Sequence, residues 1–470
     1  MRVHRLLLLS SLFASAAVAA AACSNSSDDA GAVAAEAGTT SPANDGSTSN
    51  ADGATSFDSA TGSDSSTGID GATTDASDAA APPVCTASPC AIQIASGSYH
   101  ACALLSDKTV RCWGYNAYGT VGAATLADGG FDKSNVPTPR TIAGLAPVEQ
   151  IASGWYHVCA LHTGGAVSCW GYNRFGQAGQ PADGGDEAPH ATPAAVTGFA
   201  APVVELIGGG YHTCARLSTG AVQCFGSNLW GQLGVGTVQG DGGISPPTDV
   251  STPTTSSLSN AAQVGLGSRF SCGLGTDGGL ACVGVNFNGM LGRGTENAAP
   301  NPSPAPVVGV AGPIAAVAKS LGYHDHVVLA DGRVQGWGWN NYGQVGLPAD
   351  ASTDSGSILS ATLVPGISDV AHVSDGNYFG CALKKDRTVW CWGRNEAGAM
   401  GSFDAGADFV APRPIQGLAN VLQLSSGWNG FACALVEGGS VMCWGKNEFS
   451  ALGRGPDGGG HDPTPKPVAF

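Results

Sequence analysis

From residue 91 onward the apolar and polar residues alternate in short runs, and no run is long enough to line one face of a long helix. A representative stretch is IQIASGSYHACALL (92–105), followed by the polar turn SDK and then TVRCWG (109–114). The V-x-C-x-G alternation sets one side against a core and turns the other away, which is the period-two pattern of a strand. After it come N-x-x-G-x-x-G, a variable loop, and a Pro-bounded apolar stretch such as PTPRTIAGL (137–145) or APRPIQGL (411–418). Proline is tolerated where a strand forms the edge of a sheet. The pattern therefore predicts a unit of about four strands.

The unit repeats. CALLSDKTVRCWGYN (102–116) recurs as CALHTGGAVSCWGYN (159–173), CARLSTGAVQCFGSN (214–228) and CGLGTDGGLACVGVN (272–286). It returns as CALKKDRTVWCWGRN (381–395) and CALVEGGSVMCWGKN (433–447), and HVVLADGRVQGWGWN (326–340) fills the remaining gap without cysteine. Successive copies start 52–58 residues apart, so seven units account for residues 85–470. Seven four-stranded units describe an all-β fold, a seven-bladed β-propeller. The chain ends in PTPKPVAF (463–470), whereas VCTASPC (84–90) precedes the first unit. The C-terminal stretch is therefore expected to complete the first blade, leaving the ring no open edge.

The cysteines follow from this arrangement. Cys102 and Cys112 fall on opposite arms of one hairpin, and directly opposite residues in an antiparallel pair come within reach of a disulfide. The same spacing pairs Cys159 with Cys169, Cys214 with Cys224, Cys272 with Cys282, Cys381 with Cys391, and Cys433 with Cys443. Unit five loses both members together, carrying His326 and Gly336 instead, as expected of partners. Cys85 and Cys90 remain, making an even set. The competing readings are reduced cysteine as a small buried hydrophobe, and zinc, for which two ligands on one hairpin are too few.

Other repeated residues read as structural. His100, His157, His212 and His324 alternate with Phe270, Phe379 and Phe431 at one position, so that position is for packing. His324 and His326 would suit a metal, but His326 only fills the vacant cysteine position, and no metal or other cofactor is expected. Trp113, Trp170, Trp337, Trp392 and Trp444 give way to Phe225 and Val283, again a core pattern. The Gly and Asn that follow occur in every unit, from Gly114 and Asn116 to Gly445 and Asn447, as a shared turn requires. Acidic Gly-rich segments at 127–130, 182–186, 240–243 and 456–460 invite calcium, but they lack the ligand spacing of a calcium loop and solvated turns explain them equally.

Residues 1–22 read as an export signal: a charged start, MRVHR, an apolar run, then small residues leading to Cys23. AAAC followed by SNSSDD is similar to a bacterial lipobox, in which Cys23 would carry lipid; without lipid the product is secreted. Residues 23–84 hold ten acidic residues, no Lys or Arg, and almost nothing large, as in a disordered acidic tether. Sixty such residues would reach about 45 Å. The formal net charge is −16, with no dense basic patch, so nucleic acid is not an expected partner.

The unit IASGxxHxCALxxxGxVxCWGxNxxGQxG, fullest at 151–179, resembles the repeat of the regulator of chromosome condensation (RCC1) family. The resemblance covers all seven units of 85–470 and implies a seven-bladed propeller. Departures are Val283–Gly284 for Trp-Gly, Ser450 for the middle Gly, and an irregular start to unit five at Leu321. The family's founder is a nucleotide-exchange factor for a small GTPase, while similar bacterial domains are exported binding modules. No residue here takes over the founder's exchange loops, and a fold licenses no activity. The leading expectation is a monomeric, non-enzymatic scaffold of the cell envelope, touching the membrane only through lipid on Cys23, that binds a protein or another cell-surface ligand. Recognition would fall to the loops 235–252, 293–306 and 347–362, with Trp230, Phe287 and Tyr342 as contact residues or as packing between blades. The alternatives are a GTPase exchange regulator and, behind it, a propeller hydrolase or lyase.

Overall fold

The computed structural model describes residues 83–86, 88–122, 131–181, 190–238, 244–245, 249–348, 353, 356–403, 410–455 and 460–470. The proposed signal, Cys23, nearly all of the tether and all but one residue of the acidic Gly-rich segments lie outside them.

Each repeat folds into an antiparallel sheet of four strands taken in chain order, and seven such blades make a β-propeller. Blade 1 is Ala91–Ser96, His100–Leu105, Val110–Gly114 and Val136–Thr141. The inner strands of blades 2 to 7 are Val148–Ser153, Val203–Gly208, Ala261–Leu266, Ile314–Val317, Val370–Asp375 and Val421–Gly427. The second and third strands of each blade are almost wholly buried, and the fourth strand, Pro-bearing in every blade but the fifth, lies half exposed at the rim. Among the described residues no helix is long and apolar enough to cross a membrane.

The ring closes differently from the sequence expectation. Asp462–Pro467 pairs with Val441–Gly445, so the C-terminal strand completes blade 7, and blade 1 draws all four strands from residues 91–141. The closing junction is therefore built from side chains and loops, without strand pairing across it. Gln93 accepts from the Ile151 amide (2.8 Å) and donates to its carbonyl (3.1 Å), hooking blade 1 to blade 2. Gln150 does the same to Leu206, and Gln423 closes the ring by doing it to Ile94. A circuit of backbone bonds runs around the axis through Ser98, Trp155, Gly210, Gly267 and Ser268, continues through Gly322, Leu321, Asp375 and Asn377, and returns from Trp428 to Gly97.

The repeated Trp residues are fully buried between blades, and each indole donates to a carbonyl of the preceding blade: Trp170 to Thr120, Trp337 to Met290, Trp392 to Gln344, and Trp444 to Ala399. Trp113 donates to Ala451 across the closing junction (2.9 Å). Each repeated Asn accepts an amide five residues on, Asn116 from Val121 and Asn447 from Leu452, which shapes the loop after the third strand. The Gly before it has positive φ in every blade, and a Cβ on Gly114 would fall 2.3 Å from the Tyr99 carbonyl oxygen.

In six blades the two hairpin cysteines are register partners and are bonded, with Cα atoms 4.0–4.1 Å apart. Cys85–Cys90 closes a short loop beside blade 7, where Thr86 donates to Gly438 and Ala91 to Gly439. Of the expected recognition loops, Asp249–Thr255, Asn297–Pro306 and Ser357–Leu363 are fourth strands, so the loops are shorter than the composition suggested.

Candidate functional site

The alternation of strands puts two sets of loops on one end of the propeller: those between the first and second strands, and those after the third. Aromatic side chains converge there. Tyr99 and Tyr115 of blade 1 meet Phe449 of blade 7 at ring-centroid distances of 5.0 and 4.9 Å. Tyr118 bridges to Tyr156 (5.2 Å) and Tyr172 (4.6 Å) of blade 2, and Phe175 reaches Tyr211 of blade 3 (5.2 Å). Trp155 touches Tyr211, Tyr323 and Trp428, and its indole donates to the Leu321 carbonyl at 3.0 Å. It thus spans from blade 2 to blades 3, 5 and 7 over the axial channel. Beneath it the inner strands line a cavity of about 70 Å³.

Most of these rings are half buried, while Phe449 (40 %), Leu229 (51 %) and Phe403 (52 %) are exposed on the same end. Burial, with Glu448 and neighbouring phenols adding to it, pushes Tyr99 up to about 12, and burial raises Tyr156 as well. Both phenols therefore stay protonated across the physiological range and can serve as hydrogen-bond donors.

The three aromatics singled out from the sequence divide. Tyr342 packs with Trp339 and Tyr378 under the Arg394 guanidinium, 4.4 Å from its ring, and joins the larger set through Tyr323. Trp230 and Phe287 form a separate pair (4.9 Å) packed against the core between blades 4 and 5. The main belt was missed, although it had a signal. Tyr precedes the His/Phe position in five units (Tyr99, Tyr156, Tyr211, Tyr323, Tyr378), and an aromatic follows Trp-Gly in three (Tyr115, Tyr172, Trp339).

The recurring histidines are buried packing groups. Burial lowers His100, His157 and His212 to about 3, with the neighbouring histidines adding to the shift at His157. His157 bonds Thr213 Oγ1 (2.8 Å) and His212 bonds Ser271 Oγ (2.9 Å). Blade 5 differs. His326 faces Gly336, where a Cβ would lie 2.5 Å from the imidazole Cδ2, so the ring fills the place of the missing disulfide. Its Nδ1 lies 3.0 Å from both Asp375 oxygens, and its Nε2 donates to the Val345 carbonyl (3.2 Å). His324 Nε2 stands 3.6 Å from Asp375 Oδ1, and all three side chains are fully buried. Burial would raise Asp375, but His326 and His324 overcome it and hold the carboxyl at about 2. Burial, with Asp375 adding to it, raises Asp325 well above the carboxylate range. His324, His326 and Asp375 bring their ligand atoms within 4.8 Å of one another, the group among the described residues able to hold a metal.

Two sequence models described as the regulator of chromosome condensation (RCC1) repeat match the chain, one at 91–120, 148–177, 370–399 and 421–450, the other at 109–161 and 331–383. The chain carries RCC1 repeats. This RCC1-repeat protein is 26 % identical to the ultraviolet-B receptor UVR8 of Arabidopsis thaliana over 335 residues, 70 % of each chain. It is 29 % identical to the E3 ubiquitin-protein ligase HERC2 of Homo sapiens over 62 % of its own length, but that match spans 6 % of HERC2. Its fold is like that of Prp20p from Saccharomyces cerevisiae, whose crystal structure was described together with binding to Gsp1p and histones (TM-score 0.64, 20 % identity, 79 % of this chain and 88 % of that one). Human WBSCR16 is similar in fold (TM-score 0.65, 21 % identity, 77 % and 95 %).

Proposed function

We propose that this RCC1-repeat protein is an exported, non-enzymatic scaffold, anchored through lipid on Cys23, that binds a protein partner on its aromatic end. The observation that carries the reading is the belt of Tyr, Phe and Trp rings from Phe449 to Tyr211, half exposed and rigidly seated on blade loops. Tyr and Trp give large contact area at low entropic cost and concentrate in the energetic centres of protein interfaces. Prp20p, similar in fold, is described with protein partners, which is consistent with protein recognition on this fold. Seven disulfides suit an oxidising compartment.

The chain enters blade 1 at the end opposite the aromatic belt, beside the Gly438–Gly439 turn. The exchange-factor alternative rests on fold likeness at 20 % identity, and fold does not carry activity.

Site-specific photo-crosslinking in the native envelope tests the binding reading. A crosslinker in place of Phe449 or Tyr118 should give one discrete protein adduct, and one in place of exposed Val204 or Val308 should not; equal labelling at all four sites would refute it. Palmitate labelling that survives Cys23→Ser would refute the anchor.

A further inference from the structure

We infer that His324, His326 and Asp375 form a buried divalent-metal site, best matched to Zn2+, that takes the place of the disulfide absent from blade 5. Zinc accepts His nitrogen and carboxylate oxygen at about 2.0–2.2 Å, which in a tetrahedral shell sets ligand atoms about 3.4 Å apart. The observed separations are 3.0 Å from His326 Nδ1 and 3.6 Å from His324 Nε2 to the Asp375 carboxylate. The three ligand atoms all lie within 4.8 Å of one another. The 3.6 Å gap is too long for a hydrogen bond and right for two ligands of one ion.

Two further features point to a ligand. His326 Nε2 donates to the Val345 carbonyl, which leaves the Nδ1 lone pair aimed at Asp375; a second ring nitrogen held by a backbone carbonyl is how metal-bound imidazoles are usually fixed. His324, with no exposed surface, has no hydrogen bond at either nitrogen. Both ring nitrogens of His326 face oxygen atoms in a dry interior. With an ion, the histidines are neutral ligands and one carboxylate offsets part of the charge. Three protein ligands leave a fourth position for water. The irregular start of blade 5 also fits: Lys319–Ser320 leaves its own blade to pair in parallel with Ser374–Asp375, bringing the inner strand of blade 6 under the two histidines. The ion would join two blades where each disulfide joins two strands.

The test uses the full chain, oxidatively refolded with and without Zn2+ and then dialysed, with metal content read by mass spectrometry and Co2+ substitution read by visible absorption. Two variants use residues that other blades carry at the same positions, and each is checked for folding before metal is read: His324→Phe, the residue of blades 4, 6 and 7, and Asp375→Ser, the residue of blades 1, 2 and 7 (Ser96, Ser153, Ser426). The expected result is one retained Zn2+ per chain, a Co2+ ligand-field band and a higher melting temperature with metal. Both variants, folded by circular dichroism, should lose about 100-fold or more in affinity, as removal of a ligand entails. A folded wild-type chain that retains no metal and shows no thermal shift would overturn the site. So would variants that bind Zn2+ as tightly as the wild type.

Discussion

Blade 5 and the six stapled blades solve one problem in two ways. In blade 1 the second and third strands are locked by Cys102–Cys112, and the inner strand ends in Ser96, whose hydroxyl lies 3.3 Å from the Ser425 carbonyl. In blade 5 the covalent bond is replaced by an imidazole lying over a glycine, and the next blade's serine position holds Asp375, which holds that imidazole. The lesson is that the cysteine pair and the neighbouring blade's residue form one unit. Removing a disulfide from a dry hairpin left room for a polar group, and a buried polar group needs a partner from across the junction.

The comparison can be broken most severely by reduction. Each hairpin loop of about eleven residues gains at most ~2–3 kcal/mol from its disulfide, so losing all six removes up to about 12–18 kcal/mol, as much as the whole stability of an ordinary domain. Near-ultraviolet circular dichroism after denaturant-assisted reduction and dilution should show no return to the native spectrum; a propeller that refolds fully reduced would show that the disulfides are dispensable. Next comes Asp375→Asn, measured with a chelator present so that any ion is excluded. Leaving His326 buried without its charged partner should cost about 3–5 kcal/mol of urea stability, against about 1 kcal/mol for Ser426→Ala at the matching position of blade 7.

The histidine blades also differ from the phenylalanine blades in acid. His212 is held neutral in the fold, with burial lowering it to about 3, while the unfolded chain protonates it near 6.5. The folded pKa is the lower one, so stability is complete above pH 6.5 and is lost as pH falls from there toward 3. At pH 5 the loss is about 2 kcal/mol for such a group. His212→Phe, the residue of blades 4, 6 and 7, should flatten urea stability between pH 8 and pH 5 by that amount; an unchanged pH slope would place the acid sensitivity elsewhere. The smallest effect concerns closure. Gln423→Ala at the last junction and Gln150→Ala at an interior one each remove two hydrogen bonds, for about 1–2 kcal/mol. Equal losses would mark the closing junction as ordinary, and a much larger loss at Gln423 would mark it as the weak seam.

Much of this was written in the chain. Seven copies of one hairpin unit, four of them with the full C-x9-C-W-G-x-N, carry the blade count, the hairpin pairing, the buried aromatic and the Asn-built turn, because each of these is local and must be specified again in every repeat. The candidate face was half legible. Tyr99, Tyr156 and Tyr211 stand at one repeated position, but nothing along the chain says that Tyr118, two residues past Asn116, reaches Tyr172 of the next blade. Trp230 and Phe287 looked equivalent to Tyr342 in the sequence and part company only in space.

By itself the sequence determined the unit, its number and its internal register, since alternation and turn chemistry act over a few residues. Tertiary structure alone decided the relations between units. It placed the C-terminal strand in blade 7 rather than blade 1, because an outer strand pairs with the third strand just before it and the seam is sealed by Gln423, Trp113 and the axial backbone bonds. It also brought Asp375 to His326 across 49 residues of chain, a contact no local pattern announces, because burial and electrostatic pairing depend on what the folded neighbour presents.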